Sequence, residues 1–382
     1  MYVRILTMNF TVIEKLVNDS ISAGGIPSAV IAIGDCGGTI YKKAFGLSRY
    51  YPDTVKPKGA HPDRSYDGSV AATLDTVYDM ASLSKLISTS MVALRLVEMG
   101  ELCLSDTVNM FFEKSYDKGG ISVKQLMTHQ SGIAPYFDLS KGYSGGDIGA
   151  YVTEKILSVP LEYKTGEHVR YSCMGFILLG KIIESITGKT LDVLAQELVF
   201  DPLGMKRTGY CPKTNPRFAH SVTAPTEYDV TSGRYIDGTV HDENARFQGG
   251  VSANAGVFSC IDDLCIFSEM LANHGATVNG CFLSRNTFDA AITNITPWGE
   301  EYRGLGFALK DEGMYPTGEL FSPLSYGHTG FTGTSLFVDR ATGMYLIILT
   351  NRVHFTRESG DLYRLRRRIG NAAISEYTRS GR

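Results

Sequence analysis

Residues 76–100 read TVYDMASLSKLISTSMVALRLVEMG, and inside this stretch the hydrophobic period turns helical. Leu83, Leu86, Ile87, Met91, Leu94 and Val97 recur at the spacing of one helix face, and Gly100 supplies a stop. On the N-terminal side, Tyr51 to Ala72 is polar with Pro and Gly and is expected to be a long surface loop. Before it, SAVIAIGD (28–35) and GTIYKKAFG (38–46) are β-rich runs meeting at Cys36-Gly37-Gly38, a hairpin signal. Ile13, Leu16, Val17 and Ile21 mark an amphipathic first helix.

On the C-terminal side helical signals dominate. Phe176, Leu179, Ile182, Ile183 and Ile186 form a stripe closed by Gly188, Thr190 is placed to cap the next helix, and Asp262 to Leu271 reads as another. Near residue 305 the period returns to two. Leu305–Lys310, Thr334–Asp339 and Tyr345–Thr350 read as successive strands, and a last helix spans Asp361 to Tyr377. Strands at both ends around a helical middle predict an α+β fold. One antiparallel sheet is built from both chain ends and flanked by helices, with a mainly helical region inserted. The expected division puts residues 1–90 and 300–382 in the sheet region and 91–299 in the helical region. The active site would lie between them, in one catalytic unit.

Composition narrows the class. The 382 residues are 43% hydrophobic and 20% charged with a net charge of -3, which is globular and gives no basic excess for nucleic acid. Arg364, Arg366, Arg367 and Arg368 are the one basic cluster, read as the solvated face of the last helix. Seven cysteines form no CxxC pair and no zinc-spaced comb, so free thiols in a reducing compartment are expected, with no metal. His241, Asp242 and Glu243 are adjacent in sequence, and three neighbours rarely converge on one ion; a loop at the active-site rim is expected. The N-terminus lacks an apolar signal core and no window suits a bilayer span, which gives the expectation of a soluble, cytoplasmic chain.

Ser82 and Lys85 form a Ser-x-x-Lys pair at the head of the helix that begins the stretch. A serine hydroxyl needs a base within hydrogen-bond reach, and residues three apart share a helix face. Burial and nearby cationic or donor groups would depress the lysine and free its amine. The helix N-terminus favours a developing oxyanion. The same four residues also fit a capping serine followed by a solvated lysine, so the neighbours decide. No Gly-x-Ser-x-Gly, P-loop or dinucleotide fingerprint offers another chemistry.

Four motifs occur in order: TVYDMASLSKLIS (76–88), LMTHQSGI (126–133), YSCMGFILLGKIIESITG (171–188) and GHTGFTGTSLFVD (327–339). Together they resemble the serine β-lactamase-related superfamily, which includes class C β-lactamases, D-alanyl-D-alanine carboxypeptidases and related esterases. The resemblance covers roughly residues 10 to 375. It implies a β-lactamase/transpeptidase-like fold and a serine hydrolase working through an acyl-enzyme, with no cofactor. By it Ser82 is the nucleophile, Lys85 its proton acceptor and Tyr171 the family's catalytic tyrosine, a proton shuttle near two cationic groups. His328, Thr329 and Gly330 stand in the place of the family's Lys-Thr-Gly, with glycine allowing close substrate approach. The backbone N–H groups of Ser82 and Phe331 would form the oxyanion hole. A literal Lys164-Thr165-Gly166 lacks a strand context and reads as a turn, and His129 reads as a scaffold residue.

Two departures bear on substrate. Cys173 stands where the family has Asn in a substrate-facing position, and a thiol is a weaker donor than an amide. Packing as a small side chain is its plain reading. His328 replaces a lysine, so anion affinity is expected to rise as pH falls through its pKa. The segments APTEYD (224–229) and HDENARFQGGVSANAGVFS (241–259) resemble the penicillin-binding and peptidase side of the superfamily. The expected activity is that of a D-amino-acid peptidase, carboxypeptidase or carboxylic esterase. Its substrate is a small molecule, peptide or ester; a signal peptide being absent from the sequence read, a cytoplasmic one is favoured over mature cell-wall peptidoglycan. A class C-like β-lactamase is the alternative activity. A non-catalytic relative that binds a ligand or serves as a scaffold is the alternative of another kind.

Overall fold

The computed structural model of the chain describes residues 8–55, 68–299, 301–311, 315–358 and 361–381. Most of the expected 51–72 loop and the first seven residues of the N-terminal reading lie outside these described residues. At the described ends of that loop Tyr51 is fully buried and Val70–Ala71 is a short strand, while Thr54, Gly68, Ser69 and Ala71 are exposed as a surface loop requires.

Seven strands form one antiparallel sheet. They are β1 (Ser28–Asp35), β2 (Gly38–Arg49), β3 (Val70–Ala71), β4 (Ala308–Leu309), β5 (Tyr326–Thr329), β6 (Ser335–Val338) and β7 (Tyr345–Leu349). Their order is β4-β5-β6-β7-β1-β2-β3, so the two chain ends meet where β1 pairs with β7, Val30 opposite Leu349. β1 is buried along its whole length, as a central strand covered on both faces must be. Side chains alternate between two cores: Val30, Ala32, Leu336, Val338, Ile347 and Leu349 face one, and Ala29, Ile31, Ile33, Phe337, Leu346 and Ile348 face the other.

The first core is roofed by the helical middle, and the second by the terminal helices. In chain order the main helices are α1 (Thr11–Ser22), α2 (Met91–Glu98), α3 (Cys173–Thr187), α4 (Ile261–Ala272) and α5 (Asp361–Arg379). α1 packs against α5 on the second core, and α4 packs against β1, β6 and β7 on the first. Ser172 caps α3 by accepting from the Gly175 N–H at 3.0 Å, and Gly188, at φ 68°, ends it. Thr190 does precede a helix, Leu191–Ala195, but its hydroxyl makes no cap; Glu184 accepts from the Leu191 N–H instead.

Two expectations change here. The strand expected over 305–310 shrinks to Ala308–Leu309, because the Leu305 and Gly306 N–H groups donate to Ala291 and Met127 in the helical middle. Arg366 leaves the solvated face expected for the basic cluster. It sits one turn after Leu362 and three residues before Ile369, on the apolar stripe of α5, and is only 3% exposed.

Candidate active site

The stretch that opens the helical region is not one regular helix. Ala81–Leu83 is a 3₁₀ turn, Lys85–Ser90 a π-helical turn, and α2 follows directly from Met91. Ala81 has φ 46°, a left-handed backbone at a residue with a Cβ, immediately before Ser82. The Asp79 carboxylate holds this strained turn. It accepts from the Ala81 N–H at 2.8 Å and from the His241 N–H at 2.7 Å. Asp79 itself is fixed by pairing with Phe258 in a small sheet of the middle region. Sequence reading had passed over Asp79, although it lies inside the quoted motif.

Lys85 is fully buried. Its Nζ lies 3.1 Å from Ser82 Oγ, 2.9 Å from the carbonyl of Asn254 and 3.5 Å from Cys173 Sγ. It also stands 4.8 Å from the centre of the Tyr171 ring. No carboxylate pairs with it among the described residues. Burial penalises its charge, while the anionic forms of Cys173 and Tyr171 would favour it and raise Lys85 above its ordinary value. With thiol and phenol both protonated, burial works toward the neutral amine against the more distant charge of Asp242. The expected cationic depressors of Lys85 are absent from its contacts; the carbonyl of Asn254, on a segment singled out for resemblance alone, is the acceptor that orients it.

Tyr171 is pushed up by burial and pulled back by the Lys85 charge, and its phenol faces both Lys85 and Ser82. His129, at φ 59°, sets its ring tilted against that of Tyr171, centroids 4.4 Å apart, and accepts from the Ser172 N–H at 3.1 Å. That is the scaffold part expected of it. The second cation beside Tyr171 is Arg303, 5.6 Å from the ring centre, and not His328. Lys164-Thr165-Gly166 is a turn, tied to Ser131 by the Thr165 hydroxyl.

His328 lies on β5, its ring 6.0 Å from that of Tyr171, with Nδ1 2.7 Å from the Thr329 carbonyl. Burial, with Arg303 and Lys85 nearby, pushes its pKa down to about 3. The imidazole is therefore neutral across the range in which an anion anchor was expected to switch on, and that expectation is withdrawn. Gly330 follows on the cavity wall. A Cβ there would lie 2.3 Å from the Met80 carbonyl and 2.2 Å from Thr334 Oγ1, so the glycine lets β5 close against the turn before Ser82.

The next turn presents Phe331, whose N–H finds no acceptor among the described residues. Two buried arginines hold that turn by its carbonyls. Arg352 Nε donates to Phe331 O at 3.0 Å, and Arg366 Nη2 donates to Gly333 O at 2.9 Å. His241 stacks 5.7 Å from the Phe331 ring, at the rim where its loop was expected, and its Nε2 is 3.0 Å from Glu227. Asp242 caps the helix Glu243–Phe247 and Glu243 pairs with Arg357, so the three neighbours point to separate partners.

Ser82, Tyr171, His328, Thr329, Gly330 and Phe331 share one cavity of about 640 Å³. Arg303, Arg352 and Arg366 also line it; of these the sequence drew attention only to Arg366, and to that as a solvated residue. Ser82 beside a buried lysine, facing Tyr171 and a strand with its following turn, brings together three of the motifs that carried the resemblance, and sequence comparison decides the family: the family model for β-lactamases matches residues 13–371. The chain belongs to the β-lactamase family. Among curated relatives of this β-lactamase-family chain, a Bacillus subtilis protein named N-acetylmuramyl-L-alanine amidase is 29% identical over 90% of this chain and 80% of its own. A Salmonella typhi protein named as a D-alanyl-D-alanine carboxypeptidase is 30% identical over 86% of this chain and 80% of its own. The solved structure of EstCE1, described as a hydrolase with promiscuous acyltransferase activity, is 20% identical with a TM-score of 0.72. It covers 95% of this chain and 97% of its own, and establishes the β-lactamase/transpeptidase-like fold. No helix among the described residues is long and apolar enough to cross a membrane.

Proposed function

We propose that this chain is a serine hydrolase that forms an acyl-enzyme at Ser82 and acts on amide or ester bonds of small peptides. The observation that carries the reading is Lys85 Nζ at 3.1 Å from Ser82 Oγ, buried and without a carboxylate partner among the described residues. A buried lysine lacking a counter-ion favours the free amine, which is what a serine nucleophile requires. Ser82 attacks the carbonyl carbon, its proton passes to Lys85, and Tyr171 delivers a proton to the leaving nitrogen or oxygen. The N–H groups of Ser82 and Phe331 receive the oxyanion. His328, Thr329, Gly330 and Cys173 line the place of the reacting substrate, His328 as a neutral imidazole. Water then cleaves the ester with the same groups acting in reverse.

The names of the two relatives, an amidase of N-acetylmuramyl-L-alanine and a D-alanyl-D-alanine carboxypeptidase, favour an amide flanked by alanine or a D-amino acid. The test is intact-mass measurement after incubation with a fluorophosphonate, on wild type and on Ser82→Ala. One adduct on wild type and none on the variant is expected; equal labelling of both defeats the mechanism. Turnover of D-Ala-D-Ala peptide, N-acetylmuramyl-L-alanine, p-nitrophenyl ester and nitrocefin then ranks the substrates.

A further inference from the structure

Cys173 opens α3 directly after its Ser172 cap, and its N–H donates to the Pro135 carbonyl at 2.9 Å. Its thiol faces the lysine of the site, with Sγ 3.5 Å from Lys85 Nζ. That amine is held in place by the Asn254 carbonyl at 2.9 Å and by Ser82 Oγ at 3.1 Å. Lys85 is sealed from solvent while Cys173 is only partly buried, so of the two it is the sulfur that a small solute reaches. The remaining cysteines offer no such pair. Cys211 and Cys281 donate to the carbonyls of Gly249 and Leu283, and among the described residues Cys173 alone hydrogen-bonds an amine. The hydrolytic cycle gives this thiol no step, yet a cysteine at a helix start beside an amine is a setting for sulfur chemistry.

We propose that Cys173 and Lys85 form an oxidative switch: peroxide converts the thiol to a sulfenic acid, and the Lys85 amine closes on that sulfur in a sulfenamide cross-link that stops catalysis at Ser82. In the first step sulfur takes one oxygen of hydrogen peroxide, the O–O bond breaks and water leaves; sulfur is oxidised by two electrons and the peroxide reduced by two. In the second the nitrogen lone pair attacks sulfur and the S–O bond breaks. The departing hydroxide takes a proton from nitrogen and leaves as a second water. Sulfenic acids close in this way on backbone nitrogen, and a free lysine amine is a better nucleophile than an amide. The flexible lysine stem closes the gap that remains between the two atoms. An added dithiol reverses the link: it attacks sulfur, the S–N bond breaks with its proton passing to the amine, and its second thiol frees Cys173 from the mixed disulfide. Bound to sulfur, the nitrogen lacks the basicity to take the Ser82 proton. The proposal rests on the hydrolase reading of Ser82 and adds control by oxidants to it.

The test treats wild type and Cys173→Ser with hydrogen peroxide, quenches with catalase, and assays each on one ester against its own untreated rate. Proteolysis and tandem mass spectrometry locate the modification. In wild type a peptide pair joined through residues 85 and 173 is expected, lighter by about 2 Da than the two peptides with their oxidant-free masses summed. Its rate should fall about 10²-fold or more, as for loss of a general base, and return with dithiothreitol. Fluorophosphonate labelling of Ser82 should vanish and return with it, while Cys173→Ser keeps its own rate. Cys173 found oxidised with Lys85 free, an inactivated wild type without the link, or equal inactivation of both proteins overturns the inference. If Cys173→Ser does not fold, the wild-type peptide map and the dithiothreitol recovery decide alone. Untreated wild type that takes no fluorophosphonate and turns over no ester defeats the hydrolase reading instead; the cross-link is read by mass whatever the activity.

Discussion

Arg352 grips Phe331 twice, its guanidinium 4.8 Å from the centre of the phenyl ring and its Nε–H donating to the carbonyl of the same residue at 3.0 Å. The carbonyl is thereby held in place, and with it the peptide plane it shares with the Thr332 N–H. Replacing the arginine loosens a turn still tied by Arg366 Nη2 to the Gly333 carbonyl, by Thr332 Oγ1 to the Asp79 carbonyl and by Thr334 Oγ1 to the Met80 carbonyl. Arg352→Met is expected to lower kcat about tenfold to a hundredfold while KM changes little, because the loss falls on the transition state. Steady-state kinetics on one ester checks the split; a pure KM effect counts against the turn as an oxyanion support.

Lys85→Met removes a fully buried amine that has no carboxylate partner among the described residues. Activity is expected to fall by about 10²–10⁴, the usual share of a general base, while thermal stability stays level or rises. The acid-side, ascending limb of the pH–rate profile, set by loss of the free amine, should vanish with it. A matched loss of stability and activity would assign Lys85 to the scaffold. Tyr171→Phe should cost a similar factor, most of it on amides, whose leaving nitrogen needs the proton.

Three imidazoles are held neutral by burial. His328 and His354 are pushed down to about 3, and His129 lies well below its usual range. The unfolded chain binds protons on these groups from about pH 6.5 downward and the folded chain does not, so stability falls as pH drops. Each contributes a slope approaching about 1.4 kcal/mol per pH unit below that point, until its folded pKa is reached. Denaturant midpoints between pH 7 and 5 should decline, and His328→Gln should flatten the decline by one proton. Substrate binding, by contrast, should show no His328 titration between pH 5.5 and 8.

Gly330→Ala drives a methyl group into the Met80 carbonyl and the Thr334 hydroxyl. Neither atom can withdraw without opening the contact between β5 and the Ser82 turn, so a loss of about 1–3 kcal/mol is expected, with activity falling further than stability. Urea titration and kinetics on the same preparation measure both; unchanged kinetics would show that the contact does not position the nucleophile.

Period and order made the sheet, the helical middle and the residues at positions 82, 85 and 171 readable, because chemistry confined to a short motif leaves a local trace. The arginines left a fainter one. Arg366 sits in the polar-looking run Arg364 to Arg368, yet its spacing from Leu362 and Ile369 places it on the buried face, and a helical wheel would have shown it. Arg303 and Arg352 carry no local sign, since what defines them is a carbonyl, a ring or a cavity contributed by other segments. His328 misled for a related reason. Its identity suggested a titrating switch, and only its depth in the fold fixes it as neutral.

The pairing of β1 with β7 also sets a timetable. Ser28 and Asn351, joined by a side-chain hydrogen bond, stand 323 residues apart, and the Asp79–Thr332 contact that seats the nucleophile spans 253. A growing chain therefore holds Ser82 and Lys85 long before it holds the turn that completes them, and closure over such separations is slow. Until its last strands emerge from the ribosome, the nascent polypeptide lacks the segments against which the Ser82 turn packs.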